Sequence, residues 1–163
     1  MDSLPLFHRV VRRGRIALLP LLLLTGACAS RPQLEMSAAA LAPVPGWKEM
    51  TPRAGGASVW VSPDVVITSA DVERASRGLA EGHPALQLTL TPAGATKLAA
   101  LSEKQLGQPL AMLVDGELVW APLIRSKLGG DVTIAAAGAG LSEKDVDRLV
   151  EGLNGPDESR GGP

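Results

Sequence analysis

Leu110-Ala111-Met112-Leu113-Val114-Asp115-Gly116-Glu117-Leu118-Val119-Trp120-Ala121-Pro122-Leu123-Ile124 reads as two strands folded back on each other. Leu110 to Val114 is an unbroken apolar run of strand length. Asp115-Gly116 is the dipeptide that best adopts a type I′ hairpin turn, in which both central residues take positive φ. Glu117 to Ile124 then forms the return strand. Pro122 donates no hydrogen bond to a sheet, which places this strand at an edge.

The flanking sequence fits helices and strands to this hairpin. Thr91 before Pro92 is an N-cap followed by proline at the first helical position, where its missing N–H costs nothing. Ala95, Leu98, Ala99, Ser102 and Leu106 share one face of that helix, and Gly107 suits a left-handed end. Upstream, Leu86, Leu88 and Leu90 alternate with Gln87 and Thr89, as in a half-buried strand. Ala57 to Ser62 and Val65 to Ile67 read as one strand around Pro63. Thr68 opens a short helix, with Asp71 as its capping-box partner. Downstream, Gly129-Gly130 is a turn into a strand at 131–135. Ser142 and Asp145 form a second capping box, Leu141 and Val146 a hydrophobic staple, and Val146, Leu149, Val150 and Leu153 a core face. The expected fold class is α+β: a mostly antiparallel sheet with two or three helices packed on one face.

The N-terminal segment carries a different message. Arg12, Arg13 and Arg15 precede an apolar run from Ile16, and Leu24-Thr25-Gly26-Ala27 leads to Cys28, the sole cysteine. This resembles a bacterial lipoprotein signal, with residues 1–27 removed and Cys28 lipidated. Ile16 to Ala27 is too short for a transmembrane span, which needs about 20 residues. The resemblance implies a membrane partner through the lipid at Cys28, on the periplasmic face of the cell envelope. Ala29, where aspartate would mark inner-membrane retention in enterobacterial sorting, favours the outer membrane. Pro32, Pro43, Pro45, Gly46, Pro52, Gly55 and Gly56 make 28–56 read as a tether, 57–153 as the domain and 154–163 as a disordered tail.

Charge and residue inventory narrow the function. The chain has 16 basic and 17 acidic residues; removing residues 1–27 takes away four arginines and one aspartate, leaving 12 and 16, a net of −4. That balance argues against nucleic-acid binding, which needs a basic face. His83 is then the only histidine. No nucleophile elbow or phosphate-binding glycine loop occurs. Asp71 and Asp145 are accounted for by caps and Asp115 by a turn. The reading is a non-enzyme without a cofactor or metal site.

The residues 91–98, Thr-Pro-Ala-Gly-Ala-Thr-Lys-Leu, resemble the L-T-P-E-G-A-K-K-F segment of the SecD family. Residues 106–118 resemble its I-G-K-R-L-A-I-V-L-D-G-K-V segment. Ala121-Pro122-Leu123-Ile124 matches the A-P-x-I that follows, and Gly129-Gly130 with Leu141-Ser142 matches the closing G-G and helix. The likeness covers about 68–153 in the right order. It implies the head subdomain of the first large periplasmic domain of SecD. In that family the head is held to contact an emerging unfolded preprotein, while charged transmembrane helices couple the proton gradient to export. After residue 27 this sequence contains no apolar stretch long enough for such a helix. A head of this kind binds but does not pull.

The expected partner is therefore an exported unfolded polypeptide or an envelope complex. The alternative is a structural envelope lipoprotein that reuses the fold without an export role. The candidate binding surface is Trp120, Pro122 and Ile124. Two roles are open to Trp120: core packing, or an exposed aromatic on an open sheet.

Overall fold

The computed structural model of the protein describes residues 31–155. The signal segment 1–27, Cys28 and nearly all of the tail at 154–163 lie outside them. Among the described residues, eight strands form two antiparallel sheets. The first has the order β2 (Lys48–Met50), β3 (Val59–Thr68), β1 (Leu34–Ala40), β6 (Leu110–Val114), β7 (Glu117–Trp120). The second has the order β4 (Val72–Ala80), β5 (His83–Leu90), β8 (Asp131–Ala135). Helices α1 (Pro92–Lys104) and α2 (Glu143–Asn154) pack against them. A 3₁₀ turn at Ser69–Asp71 carries the chain from β3 in one sheet to β4 in the other.

Period-two alternation divides the apolar residues of the first sheet between its faces. Leu34, Met36, Leu110, Met112 and Val114 enter the main core with Leu86, Leu88, Leu98, Ile134, Val146 and Leu149. Ala39, Val61, Ala111, Leu113 and Leu118 form a smaller cluster on the opposite face. A sheet buried on both faces reads as continuous apolar sequence, which is why β6 shows no alternation.

Local signals placed most elements. Thr91 caps α1, accepting from the Gly94 N–H at 3.1 Å, and Ser142 and Asp145 exchange the two bonds of a capping box. Asp115 and Gly116 have φ of 51° and 80°, as the hairpin requires. The tip is also tied to the start of β1. The Asp115 N–H donates to the Gln33 carbonyl, the Gln33 N–H donates back to the Asp115 carboxylate, and Arg148 on α2 holds the other carboxylate oxygen at 2.8 Å. Gly94 is needed for close approach: a Cβ there would lie 2.8 Å from the Asp71 carbonyl oxygen. The first turn of α1 therefore rests directly on the 3₁₀ turn.

Three expectations need correction. The span 28–56 is not a tether throughout. Its residues 34–40 are β1, lying between β3 and β6 in the middle of the first sheet, and 48–50 are β2. Pro32 is buried too, packed against Gly152 of α2. Second, β4 is a nine-residue strand joined to β5 by a two-residue turn, Glu81-Gly82, with positive φ at both positions. His83, which the sequence places in a solvated loop before the strand, is the exposed first residue of β5. Third, α1 ends at Lys104, so Leu106 lies beyond the helix and is exposed.

Candidate functional site: an apolar groove between two sheet rims

The return strand after the Asp115-Gly116 turn is less regular than alternation suggests. Leu118 pairs with Leu113, but Trp120 pairs with Met112, so Val119 is an extra residue and the pair is bulged there. Strict alternation would put Trp120 on the face of Leu118. The bulge turns it back, a recurrent use of such irregularities. Leu118 enters the smaller cluster, while Val119 and Trp120 both face the main core. β7 ends at Trp120, yet pairing persists: Leu110 N–H donates to Pro122 C=O and Ile124 N–H to Gln108 C=O, each at 2.9 Å.

This path brings the three sequence-derived site residues together. Trp120, Pro122 and Ile124 line one groove of about 280 Å³. Ile124 is 3% exposed and forms its floor with Leu110 and Met112. Trp120 and Pro122 are half-buried, and Leu123 is 44% exposed at the lip. Trp120 thus combines the two roles open to it, packing one side on the core and presenting the other to the groove. The opposite wall is Leu128 and Val132, with Asp131 and Thr133. That wall comes from β8 in the other sheet and from Leu128 in the loop leading to it, so nothing in the hairpin sequence announced it.

Both walls are sheet rims. β7 is an edge of the first sheet and β8 of the second. In antiparallel pairing, alternate residues turn their N–H and C=O toward the neighbour and the rest turn them away. Leu90 N–H to Gly130 C=O and Ala136 N–H to Pro84 C=O fix the phase on β8. The main-chain groups of Asp131 and Thr133 therefore point away from β5, outward from the rim. By the same count, those of Ala121 and Leu123 point outward from the first sheet.

Polar groups elsewhere are paired with one another. Asp71 Oδ1 accepts from Lys97 Nζ at 2.8 Å and Oδ2 from the Thr68 N–H at 3.0 Å. The Lys97 hydrogen bond, foremost, holds the Asp71 carboxyl below its ordinary value against the opposing effect of burial. Asp145 is likewise lowered, first by the Ser142 N–H. Arg53 pairs with Glu117 and Asp145, and Arg77 with Glu143 and Asp147. Among the described residues no group of three or more metal-ligating side chains occurs, and no helix is long and apolar enough to cross a membrane.

Comparison with known proteins agrees with this architecture. A family model for the SecDF P1 head subdomain matches residues 48–149, more than half of the chain. The protein translocase subunit SecDF of Thermus thermophilus is 32% identical over 69 residues, which is 42% of this chain and 9% of that protein. The chain thus spans less than a tenth of the length of this curated relative. A solved structure of a membrane component SecDF that enhances protein export superposes with a TM-score of 0.60 at 22% identity, over 76% of this chain and 62% of the other. SecDF in its super-membrane-facing form gives the same TM-score at 23% identity, over 76% and 19%. These likenesses establish the fold. The family match begins at residue 48, so β1, central in the sheet, lies outside it.

Proposed function

Because the chain belongs to the SecDF P1 head subdomain family, we propose that it is an export-related, non-enzymatic binding module that holds segments of unfolded polypeptide in the groove at Trp120. The observation that carries this reading is the convergence of Trp120, Pro122, Leu123 and Ile124 in one open apolar groove. A concave apolar site with a few polar groups at its margin is the ordinary form of a binding site. A half-exposed tryptophan supplies large contact area at small entropic cost. The reading is tested with the full chain and a permanently unfolded, labelled polypeptide. Trp120→Ala weakens binding about tenfold or more while the domain stays folded by circular dichroism. If the wild type does not bind, the reading falls and a structural envelope role takes its place.

The second part of the proposal concerns location. The Leu24-Thr25-Gly26-Ala27-Cys28 pattern supports acylation at Cys28, with the domain on the periplasmic side and the outer membrane favoured by Ala29. β1 begins at Leu34, six residues on, a reach of at most about 20 Å. An anchor at Cys28 thus keeps the domain close to the bilayer rather than on a long tether. Diacylated protein stays with membranes until detergent is added, because two chains suffice for stable anchoring. Cys28→Ser releases it or leaves it unprocessed. Equal fractionation of the two forms rules out the anchor.

A further inference from the structure

The groove lies between the rim of β8 and that of the β7 return segment, where Arg53 N–H caps only the Leu118 carbonyl, and its two walls carry backbone as well as side-chain information. Resting on the groove reading above, we infer that the bound polypeptide is taken up as an added antiparallel strand on the outer rim of β8. The main-chain groups of Asp131 and Thr133 point outward from that rim, toward the space bounded on its other side by Trp120, Pro122 and Leu123. An extended chain is the occupant whose chemistry matches both features, since it offers a row of N–H and C=O groups to the rim and alternate side chains to the apolar wall.

The register follows from the pleat. Side chains beside Val132 and Ile134 fall on the core side, because Ile134 is fully buried and Val132 half-buried, whereas Asp131 and Thr133 are exposed. In antiparallel addition the residues opposite Asp131 and Thr133 exchange the hydrogen bonds and point their side chains to solvent. The residues between them drop their side chains onto Trp120, Leu128 and the Met112 floor. The preferred occupant is therefore a segment of alternating apolar and polar residues, in which the polar residues donate the backbone bonds. Antiparallel addition is chosen because every strand pairing among the described residues is antiparallel.

The experiment uses the full chain and a short, lysine-flanked peptide alternating leucine and threonine, followed by fluorescence anisotropy. N-methylation of the threonine amides removes the donors that face β8 and lowers affinity about tenfold, the loss expected of two backbone hydrogen bonds. N-methylation of the leucine amides leaves affinity within about threefold, less than one such bond is worth. On the protein side, Thr133→Pro removes an outward N–H that bonds no neighbouring strand, and an edge position tolerates proline. It lowers affinity about fivefold, the loss of one such bond, with an unchanged circular dichroism spectrum. If both methylated peptides bind like the parent, or only the leucine-methylated one is impaired, strand addition on β8 is wrong, while binding that still needs Trp120 leaves the groove reading intact. If no peptide binds and unfolded polypeptide fails as well, both readings fall together.

Discussion

The outer rim of β4 is sealed, whereas the outer rim of β8, in the same three-stranded sheet, is open. On β4 the amide of Asn154, at the end of α2, takes the place of a neighbouring strand. Its Oδ1 accepts from the Ala75 N–H at 2.8 Å and its Nδ2 donates to the Ala75 carbonyl at 2.7 Å. Two residues on, Arg77 is drawn to Glu143 and Asp147 of the same helix. Unpaired rims invite association with other chains, and charged residues or a covering helix are the usual remedies. β8 carries a single charge, Asp131, at its first position, and its rim faces a groove lined by Trp120, Pro122 and Leu123. The contrast shows that edge protection is available to this fold and is withheld where the apolar groove lies.

The largest effect expected from disturbing this contrast comes from opening the sealed rim. Asn154→Ala removes two hydrogen bonds to the backbone of Ala75, a residue only 2% exposed. Leaving both groups unsatisfied costs about 2 kcal/mol, a fall in Tm of several degrees for a domain of this size. Sedimentation should also detect self-association through the newly exposed rim. Leu123→Ala at the lip of the open groove provides the contrast. At 44% exposure it costs less than about 0.5 kcal/mol. If Leu123→Ala destabilises as much as Asn154→Ala, the groove wall is part of the supporting structure and the contrast collapses.

The difference in legibility between the two walls has a physical origin. Thr91-Pro92, Asp115-Gly116 and Ser142 with Asp145 act over two to four residues, so α1, the β6–β7 hairpin and α2 could be read directly, and with them Trp120, Pro122 and Ile124. The bulge at Val119 was not legible, because the registry of Met112 against Trp120 depends on pairing that continues past Pro122. β4 reads Val-Glu-Arg-Ala-Ser-Arg-Gly-Leu-Ala, a sequence with little intrinsic strand preference. It is extended because β5 and α2 hold it. β1 carried a usable signal, since Leu34, Met36 and Ala38 alternate with Glu35 and Ser37, but Ala38-Ala39-Ala40 among prolines resembles a linker. Small residues fit there because the strand is covered on both faces. Leu128 and Val132 entered the groove only when the second sheet was placed beside the first.

The smallest expected effect separates the groove from its supporting turns by pH. Away from the groove, two structural carboxylates have values lowered in the folded state: Asp71 in the 3₁₀ turn, chiefly by the hydrogen bond from Lys97, and Asp145 in the α2 cap, chiefly by the N–H of Ser142. A carboxyl lowered on folding contributes stability that is fully present above its unfolded value, near 3.9 for aspartate, and that is lost as pH falls through the lower folded value. Tm is therefore level above about pH 5 and declines below about pH 4. The loss follows protonation of Asp71. Asp71→Asn removes the ion pair with Lys97 and yields a lower Tm near neutrality with a shallower acid decline. The two forms converge at the acid end, because protonated Asp71 has lost the same attraction. Peptide binding at the groove draws chiefly on Trp120 and backbone groups that do not titrate in this range, while Asp131 at the rim turns its side chain to solvent, so with a peptide that lacks the flanking lysines the affinity at pH 4.5 stays close to that at pH 7. A decline in affinity that parallels the decline in Tm would mean that the groove depends on these carboxylate locks, and that groove and supporting turns are one cooperative unit.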